Sequence, residues 1–435
     1  MTDLVFVFTT FIYLRFGLYG HKCLDQFIIF TSLYVIGTFV PFLLNRLYFN
    51  MAGGSWADVF FITSSNVILF IILWRMLFQH TNSNNLRLLS TPRYIRSHKS
   101  FKVKIPNLLI WSVLLVRLIQ VVLDLLKSII SSTGITKTEA WEASVVIEEK
   151  TGAGATGLLF MLLISFYYFV LISALRKPSQ ESYRVLRIFM VTEFFHVLKI
   201  LLFSLYRSPL VFELMQIFIV YHFFYREIPI RKLRVTVGLL ALVLPLYFSA
   251  AGYARDGRLD EGLAKMSLAT GLSGVATSFE FMDLYDRVNE GDLSFENGKQ
   301  FGYNFISFIP RFVWQNKPFT SFSYRMSTDI YGQMGVDGWV HTYTLWGEGY
   351  MQFGVVGSYL ATLLLILLLR FMYLLNILLP QLIGVFAYLI LIKFPILTRG
   401  DLSSFYGAGY KYIFSFIFCI LVAGVFNSLF AKKTV

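Results

Sequence analysis

The sequence predicts an all-α, polytopic membrane protein with about eleven transmembrane helices and one large extracytoplasmic loop. Of the 435 residues, 56% are hydrophobic and 14% are charged, whereas soluble domains carry roughly 25% charged residues. Apolar runs of about 18 or more residues recur along the chain, each long enough to cross a hydrocarbon core of roughly 30 Å as a helix. Lys and Arg gather in alternate connectors, which is the charge pattern of a multispanning topology.

The longest connector between the predicted spans is the segment 253–347. The spans lie near residues 4–20, 26–46, 57–78, 107–129, 155–175, 185–206, 209–226, 234–252, 348–369, 376–397 and 408–430. The N-terminal stretch lacks the basic start and small-residue cleavage site of a secretory signal, so it is predicted to be a retained first helix. We therefore expect one integral domain with a bundle over 1–252, a loop over 253–347 and C-terminal helices over 348–435.

The charges of the connectors predict the orientation. Segment 79–106 holds six basic residues, whereas 131–155 holds four glutamates against two lysines. Because basic connectors stay in the cytoplasm, the first segment is predicted inside and the second outside. The N-terminus and the long loop then lie outside and the C-terminus lies inside. The net charge of +13 is explained by this topology, and no nucleic-acid partner is expected.

The long loop is predicted to pack rather than to act as a flexible linker, because it has no Gly/Ser tract and is rich in aromatic residues. Residues 262–288 predict one or two amphipathic helices, and 293–314 are expected to lie against the membrane face. The carboxylate pairs Glu280 with Asp283 and Asp283 with Asp286 lie at helical spacing and share a face with Arg287. That face is either solvated or the rim of a sugar-binding site.

Signatures of nucleotide-dependent and metal-dependent enzymes are absent from the sequence. It contains no Walker loop, no dinucleotide-binding glycine pattern after a strand, no HExxH and no nucleophile elbow. The acidic residues of the loop form no DxD pair, and the six histidines are dispersed. We expect no cofactor and no metal.

Extracytoplasmic cations are the candidates for chemistry. The positive-inside rule predicts few of them, yet the predicted outer side carries Arg207, Arg255, Arg258, Arg311, Lys317, His341 and Arg399. A guanidinium is always charged and matches phosphate oxygens bidentately. Any one of these arginines is accounted for by a helix end or by snorkelling to lipid phosphates, but together they favour a diphosphate lipid head group.

Three phrases around these cations resemble one family. FIPRFVWQNKP contains Arg311 and Lys317, GEGYMQFGVVG covers 347–357, and TRGDLSSF contains Arg399. The Wzy-type oligosaccharide repeat-unit polymerases commonly show similar phrases in this order. Their periplasmic loop contains IPR followed by W-P-x-K-P. A glycine-rich entry into the next helix follows, and an Arg-Gly turn precedes the last helix. Gln315 replaces a frequent proline, and LYRSP at Arg207 matches a GSRG-like phrase loosely. The resemblance covers the C-terminal half, and the N-terminal half only by helix count and loop placement.

The resemblance implies a GT-C-like membrane glycosyltransferase that acts at the periplasmic face of the bacterial inner membrane. Such enzymes move a growing glycan from undecaprenyl diphosphate onto the next lipid-linked repeat unit, which builds O-antigen, capsule or a related polysaccharide. The implied partners are the lipid-linked oligosaccharide, membrane lipid and a candidate chain-length regulator. The rival interpretations are an O-antigen ligase and a lipid-linked oligosaccharide flippase or transporter.

Within this resemblance each site residue has an expected role. Arg311 and Arg399, then Arg255 and Arg207, are expected to bind the diphosphate or sugar, with Lys317 as a helper. The general base is either His341, of a residue type with an intrinsic pKa near 6.5, or Glu348. The alternatives are a hydrogen-bonded interfacial histidine and a carboxylate that caps the following helix.

Two further expectations concern the predicted spans. Ionisable residues inside lipid should face the bundle interior and pair with one another; they are Arg117, Asp124, Glu193, His196 and Glu213. The glycines of GVVG, from Gly354 to Gly357, are expected to allow close helix packing.

Overall fold

The computed structural model describes the following residues: 1–18, 24–49, 54–78, 107–131, 163, 166–168, 170–171, 174–175, 179–204, 207–225, 228–255, 267, 271–272, 278–306, 309, 314, 316–318, 321–331, 342–378, 402, 418, 421–422 and 424–425. All regular secondary structure in this part of the chain is helical, without a β-strand. The predicted all-α class is confirmed for these residues.

We number the helices along the chain. They are α1 Thr2–Ile12, α2 Leu24–Tyr34, α3 Val40–Leu44, α4 Ser55–Phe78, α5 Asn107–Ser131, α6 Gln180–Lys199, α7 Arg207–Ile219, α8 Ile230–Arg255, α9 Ser278–Glu290, α10 Lys299–Ile306, α11 Phe322–Tyr331 and α12 Leu345–Leu378. Short π-helical turns continue α1, α2, α3, α6 and α7. Residues 24–49 therefore form one continuous helical segment.

Three of the described helices are long and apolar enough to cross a membrane: Ser55–Leu77, Asn107–Leu126 and Leu345–Phe371. They coincide with the spans predicted at 57–78, 107–129 and 348–369, and they indicate that the protein associates with membranes. The other eight spans remain predictions. Those at 155–175, 376–397 and 408–430 lie mostly outside the described residues.

Helix α4 lies at the centre of the described bundle. Helices α1, α2, α9 and α12 pack against it, and α5 and α7 pack against α6. The core contains large aromatic side chains that are almost completely buried, among them Phe30, Phe70 and Trp74. By contrast α5 exposes large apolar side chains, including Leu108 and Val116. Such a face is suited to lipid contact, because burial against lipid tails needs no protein partner.

Helix α12 is a helical hairpin, since its backbone leaves the helical region at Phe353 (φ −147°) and Gly354 (φ +63°). Trp346 Nε1 donates to Thr362 Oγ1 at 3.1 Å, whereas sixteen residues of a straight helix would separate them by about 24 Å. The two arms, 345–352 and 355–378, touch at Gly349 and Gly357, where a Cβ on Gly357 would lie 2.0 Å from the Gly349 carbonyl oxygen. The predicted close packing is therefore observed at Gly357, whereas Gly354 lies at the bend. The apolar stretch Leu345–Phe371 is thus bent at residues 353–354.

The described part of the long loop packs on the bundle as predicted. Helix α9, Ser278–Glu290, provides an amphipathic helix at the C-terminal end of the predicted range 262–288. Tyr285 of α9 donates a hydrogen bond from its hydroxyl to Asp58 Oδ2 at 2.9 Å. Phe281 is fully buried, and its ring centre lies 5.5 Å from that of Tyr350 of the hairpin, with the two rings tilted by 59°. On the outer face of α9, Arg287 pairs with Asp283 at 3.2 Å. The loop is thus joined to both α4 and α12.

Candidate functional site

The structure describes the side chains of two of the seven predicted site residues, Glu348 and Lys317. Arg311, His341 and Arg399 lie outside the described residues. Arg207 and Arg255 are the first residue of α7 and the last residue of α8, and their side chains are not described. Both therefore lie at helix ends, which is the position expected for an arginine that reaches a membrane surface.

Glu348 lies in the first arm of the hairpin and is completely buried. Its Oε1 accepts a hydrogen bond from Asn304 Nδ2 of α10 at 3.0 Å, and its Oε2 accepts one from the backbone N–H of Leu402. The N-terminus of this helix is capped instead by Thr344, whose Oγ1 accepts from the Gly347 N–H at 3.0 Å, as threonine commonly does. Glu348 therefore joins three separate segments of the chain.

The contact with Leu402 connects two of the phrases singled out in the sequence. Glu348 belongs to 347–357, and Leu402 lies three residues after Arg399 in 398–405. Leu402 is buried, so its amide would lose a water partner on folding and needs an acceptor. The Glu348 carboxylate supplies this acceptor, which anchors Leu402, the described residue of this phrase, to the hairpin.

Lys317 forms a hydrogen bond within its own phrase, FIPRFVWQNKP, at residues 308–318. Its Nζ donates to the Ile309 carbonyl oxygen at 2.9 Å, and its side chain is largely buried. The Ile309 amide donates in turn to the Ile306 carbonyl at the end of α10, at 3.1 Å. The two ends of segment 309–317, in which Arg311 lies, are therefore held together and attached to α10.

Amide side chains extend the site away from Glu348. Within α10, Gln300 Nε2 donates a hydrogen bond to Asn304 Oδ1 at 3.3 Å. The backbone N–H of Gln300 donates to Gln352 Oε1 at 3.0 Å. Gln352 in turn donates from Nε2 to Glu296 Oε2 at 2.8 Å. All members are buried or half-buried. This chain of hydrogen bonds, the 296–348 network, joins the hairpin to the connector between α9 and α10.

An ion pair ends the 296–348 network. Arg325 of α11 binds both carboxylate oxygens of Glu296, with Nη2 at 2.8 Å from Oε2, and Nη2 also donates to Gln300 Oε1 at 2.7 Å. Burial alone would raise the pKa of Glu296, but hydrogen bonds from Arg325 and Gln352 and the charges of Arg325 and Lys299 outweigh it and lower that pKa. Glu296 is therefore held as a carboxylate, and it fixes α11 to the connector between α9 and α10.

The lowered pKa of Glu296 predicts an acid-dependent loss of stability. Its contribution is fully present above the ordinary glutamate pKa of about 4.3 and is lost as pH falls through the lower folded value. The midpoint of thermal unfolding in detergent should therefore fall more steeply with acidification for the wild type than for the double variant Glu296→Gln, Arg325→Met. Asp292→Asn, at an exposed position in the same connector, should keep the wild-type profile. Equal profiles for the wild type and the double variant would contradict this prediction.

The residues of the 296–348 network other than Glu348 were not predicted from the sequence. Glu296 and Arg325 are 29 residues apart, so only the tertiary fold shows that they pair. A usable signal was Gln300 and Asn304, which lie at helical i, i+4 spacing inside an aromatic-rich stretch. Polar amides on the buried face of a short helix need partners, so this spacing was the signal that could have revealed the network.

Glu348 and the amides of the 296–348 network are suited to holding neighbouring segments in place through hydrogen bonds. Among the described residues no group of three His, Cys, Asp or Glu side chains is placed to hold a metal ion. Comparisons of the chain with protein-family models, with curated proteins and with solved structures found no match. The site is therefore defined by its own geometry: a buried carboxylate and amides that bring the segments flanking Arg311 and Arg399 onto one helical hairpin.

Proposed function

We propose that the protein is a membrane glycosyltransferase that polymerises oligosaccharide repeat units linked to a lipid diphosphate, at the outer face of the bacterial cytoplasmic membrane. The observation that carries this proposal is the position of Glu348. Its carboxylate connects the hairpin with α10, which leads into the Arg311 segment, and with Leu402, which follows Arg399. One described residue from each of the three phrases, Ile309, Glu348 and Leu402, is thus tied to the same group of hydrogen-bonded elements.

The proposed reaction needs a leaving-group clamp and a base. The acceptor hydroxyl oxygen of the incoming repeat unit attacks the anomeric carbon of the growing glycan, and the bond from that carbon to the carrier diphosphate breaks. The diphosphate leaves with the bonding electron pair, and its charge is stabilised by Arg311 and Arg399, with Arg255 and Arg207 binding further oxygens or sugar. The energy comes from the sugar–diphosphate bond, so the reaction needs neither nucleotide nor metal.

We assign the proton transfer to His341 and a positioning role to Glu348. Both carboxylate oxygens of Glu348 already accept hydrogen bonds from buried donors, and proton abstraction would remove that acceptor from the network. His341 lies seven residues before Glu348, and an imidazole titrates near neutral pH. Lys317 acts in the same way as Glu348, because its contact with Ile309 holds the segment that carries Arg311.

The proposal extends to topology. We propose a GT-C-like arrangement of eleven spans, with an outer N-terminus and a periplasmic loop over 253–347. In this topology the three phrases lie on the same side of the membrane. The packing of α9 on α4 and on the hairpin supports a loop that covers the bundle end. A lipid substrate would then reach the site laterally, with its diphosphate at the membrane surface and its glycan in water.

A gene deletion tests the proposed function. We expect the host's surface polysaccharide to lose its ladder on a gel while a single repeat unit is retained, because units are still made and moved outward. The wild type should restore the ladder. Arg311→Ala and Arg399→Ala should fail to restore it while remaining in the membrane.

Arg287→Ala is the matched control, since this loop arginine pairs with Asp283 on the outer face of α9 and should restore the ladder fully. An intact ladder in the deletion strain would contradict the proposal. Loss of the whole glycan would point to a flippase or a ligase. Full restoration by both Arg311→Ala and Arg399→Ala would refute the site assignment alone.

A further inference from the structure

Four hydrogen bonds between α4 and the second arm of the α12 hairpin define how deep each part of the hairpin lies. The pairs are Ser65 with Tyr359, Asn66 with Ser358 and with Thr362, and Leu77 with Arg370. The partners are 292 to 296 residues apart in the sequence, although the pairs extend from the middle of α4 to its end. The second arm therefore runs parallel to α4, with a nearly constant offset of about 294 residues.

This offset gives the depth of the bend in the hairpin. It places residues 353–354 beside residues 59–60 of α4, four to five residues after the start of the apolar stretch Ser55–Leu77. That stretch has 23 residues, which gives about 34 Å at a rise of about 1.5 Å per residue, slightly more than a hydrocarbon core of about 30 Å. The bend therefore lies about 7 Å below the start of the stretch, inside the hydrocarbon core and near its surface.

The first arm of the hairpin begins at the middle of the membrane. Asn66 is the central residue of Ser55–Leu77, and Thr362 donates to Asn66 Oδ1 at 2.6 Å. Trp346, at the start of the first arm, donates in turn to Thr362 at 3.1 Å. The arm 345–352 runs from this level back to the bend and does not cross the membrane. All eight of its residues are buried, as expected for a segment that enters a membrane without spanning it.

The backbone at the bend is satisfied without water. A helix that ends leaves its last carbonyl groups without partners, and hydrocarbon offers none. The backbone N–H of Glu296 donates to the Met351 carbonyl oxygen at 2.9 Å, and that of Asn297 donates to the Gln352 carbonyl oxygen at 3.1 Å. The connector between α9 and α10 thus supplies the donors that a bend inside hydrocarbon requires.

The side chains that the bend exposes are apolar. We call them the bend surface; they are Phe353, Val355 and Val356 of the hairpin, which are 43%, 41% and 64% exposed, and Phe295 of the adjoining connector, which is 41% exposed. Phe295 belongs to the same surface because a Cβ on Gly354 would lie 3.5 Å from its ring. By contrast Arg117 of α5 and Glu193 of α6, which lie inside predicted spans, are paired at 3.6 Å in the bundle interior.

We infer that 345–352 is a re-entrant arm and that the bend surface contacts the hydrocarbon chains of the membrane leaflet in which α4 begins. In the predicted topology this is the outer leaflet. The occupant is lipid because the surface is apolar and lies at the depth of the acyl chains. Glu296 and Gln352 directly adjoin Phe295 and Phe353 in the sequence, so the 296–348 network borders on lipid. The inference does not depend on the proposed transferase function.

Spin-label spectroscopy of the full-length protein in phospholipid vesicles tests this inference. Cys23 and Cys419 are replaced with serine, and a nitroxide is attached to Val356→Cys. The label should collide more often with oxygen, which concentrates in hydrocarbon, than with a polar nickel chelate, which stays in water. Val116→Cys is the matched lipid control, because Val116 is 65% exposed near the middle of the apolar stretch Asn107–Leu126. Glu290→Cys, at an exposed position at the end of α9, is the water control.

The ratio of oxygen to nickel collisions at Val356 should lie between those of the two controls, since the bend is shallower than the middle of the membrane. Val355→Cys should give the same result and provides a second route if Val356→Cys does not fold. A ratio equal to that of Glu290→Cys would place the surface in water and overturn the inference. Rare collisions with both reagents would show that protein covers the surface, which overturns it as well.

Discussion

Replacing Gly357 with alanine is expected to destabilise the protein by about 3 kcal/mol, the upper end of the usual cost of overpacking. The new Cβ would lie 2.0 Å from the carbonyl oxygen of Gly349 and 2.9 Å from its carbonyl carbon. Both are backbone atoms, so neither can rotate away, and the two arms of the hairpin must separate. The midpoint of thermal unfolding in detergent, followed by tryptophan fluorescence, should fall accordingly.

Gly302→Ala is the matched control for this experiment. Gly302 lies in α10, where an added Cβ meets nothing within 4 Å, and alanine favours a helix over glycine by about 1 kcal/mol. The control should leave the unfolding midpoint unchanged or raise it slightly. A Gly357→Ala protein as stable as this control would contradict the hairpin, because in a straight helix these two residues would not touch.

Glu348→Ala is expected to lower polymerisation about 100-fold, the cost of a misplacement of roughly 1 Å at a catalytic centre. The truncation removes the acceptor of the Leu402 amide and of Asn304 Nδ2, so the segment after Arg399 loses its anchor. Glu348→Gln should not rescue activity, because both neighbours of the carboxylate are donors and one would meet the glutamine amide hydrogens. Polymer yield per unit of membrane-inserted protein is the measurement.

Glu290→Ala is the control for this variant, since Glu290 is an exposed carboxylate at the end of α9. It should polymerise at the wild-type rate. The pH profile of Glu348→Asp then distinguishes positioning from base catalysis. A positioning residue changes the rate without moving the acid limb of the profile, whereas a base moves that limb. Wild-type activity in Glu348→Ala would refute both roles.

The membrane helices were predictable because hydropathy alone detects them. The spans predicted for α4 and α5 agree closely with the structure, since lipid-facing and core-facing residues are both apolar and give a continuous signal. The bend in α12 was missed for the same reason, because an apolar run does not reveal a reversal of direction. Its predicted start, residue 348, is three residues after the observed start at Leu345, where Thr344 provides the cap.

The candidate site was predictable only in part. Glu348 and Lys317 could be singled out because they lie in phrases that resemble a known family. Their contacts were not predictable, since Leu402 is 54 residues from Glu348 and only packing brings them together. The Glu296–Arg325 pair was missed because neither residue lies in those phrases. The sequence motifs thus predicted which segments contribute to the candidate site, and the fold showed which described residues of those segments contact one another.

Reconstitution tests the central claim most directly. The purified protein is placed in vesicles with a repeat unit linked to a polyprenyl diphosphate, in the presence of a metal chelator and without nucleotide. We predict a ladder of lipid-linked glycans that the wild type and Arg287→Ala produce and that Arg311→Ala, Arg399→Ala and Glu348→Ala do not. A repeat unit that stays at its original length, or that crosses the membrane without elongation, would contradict the assignment as a polymerase.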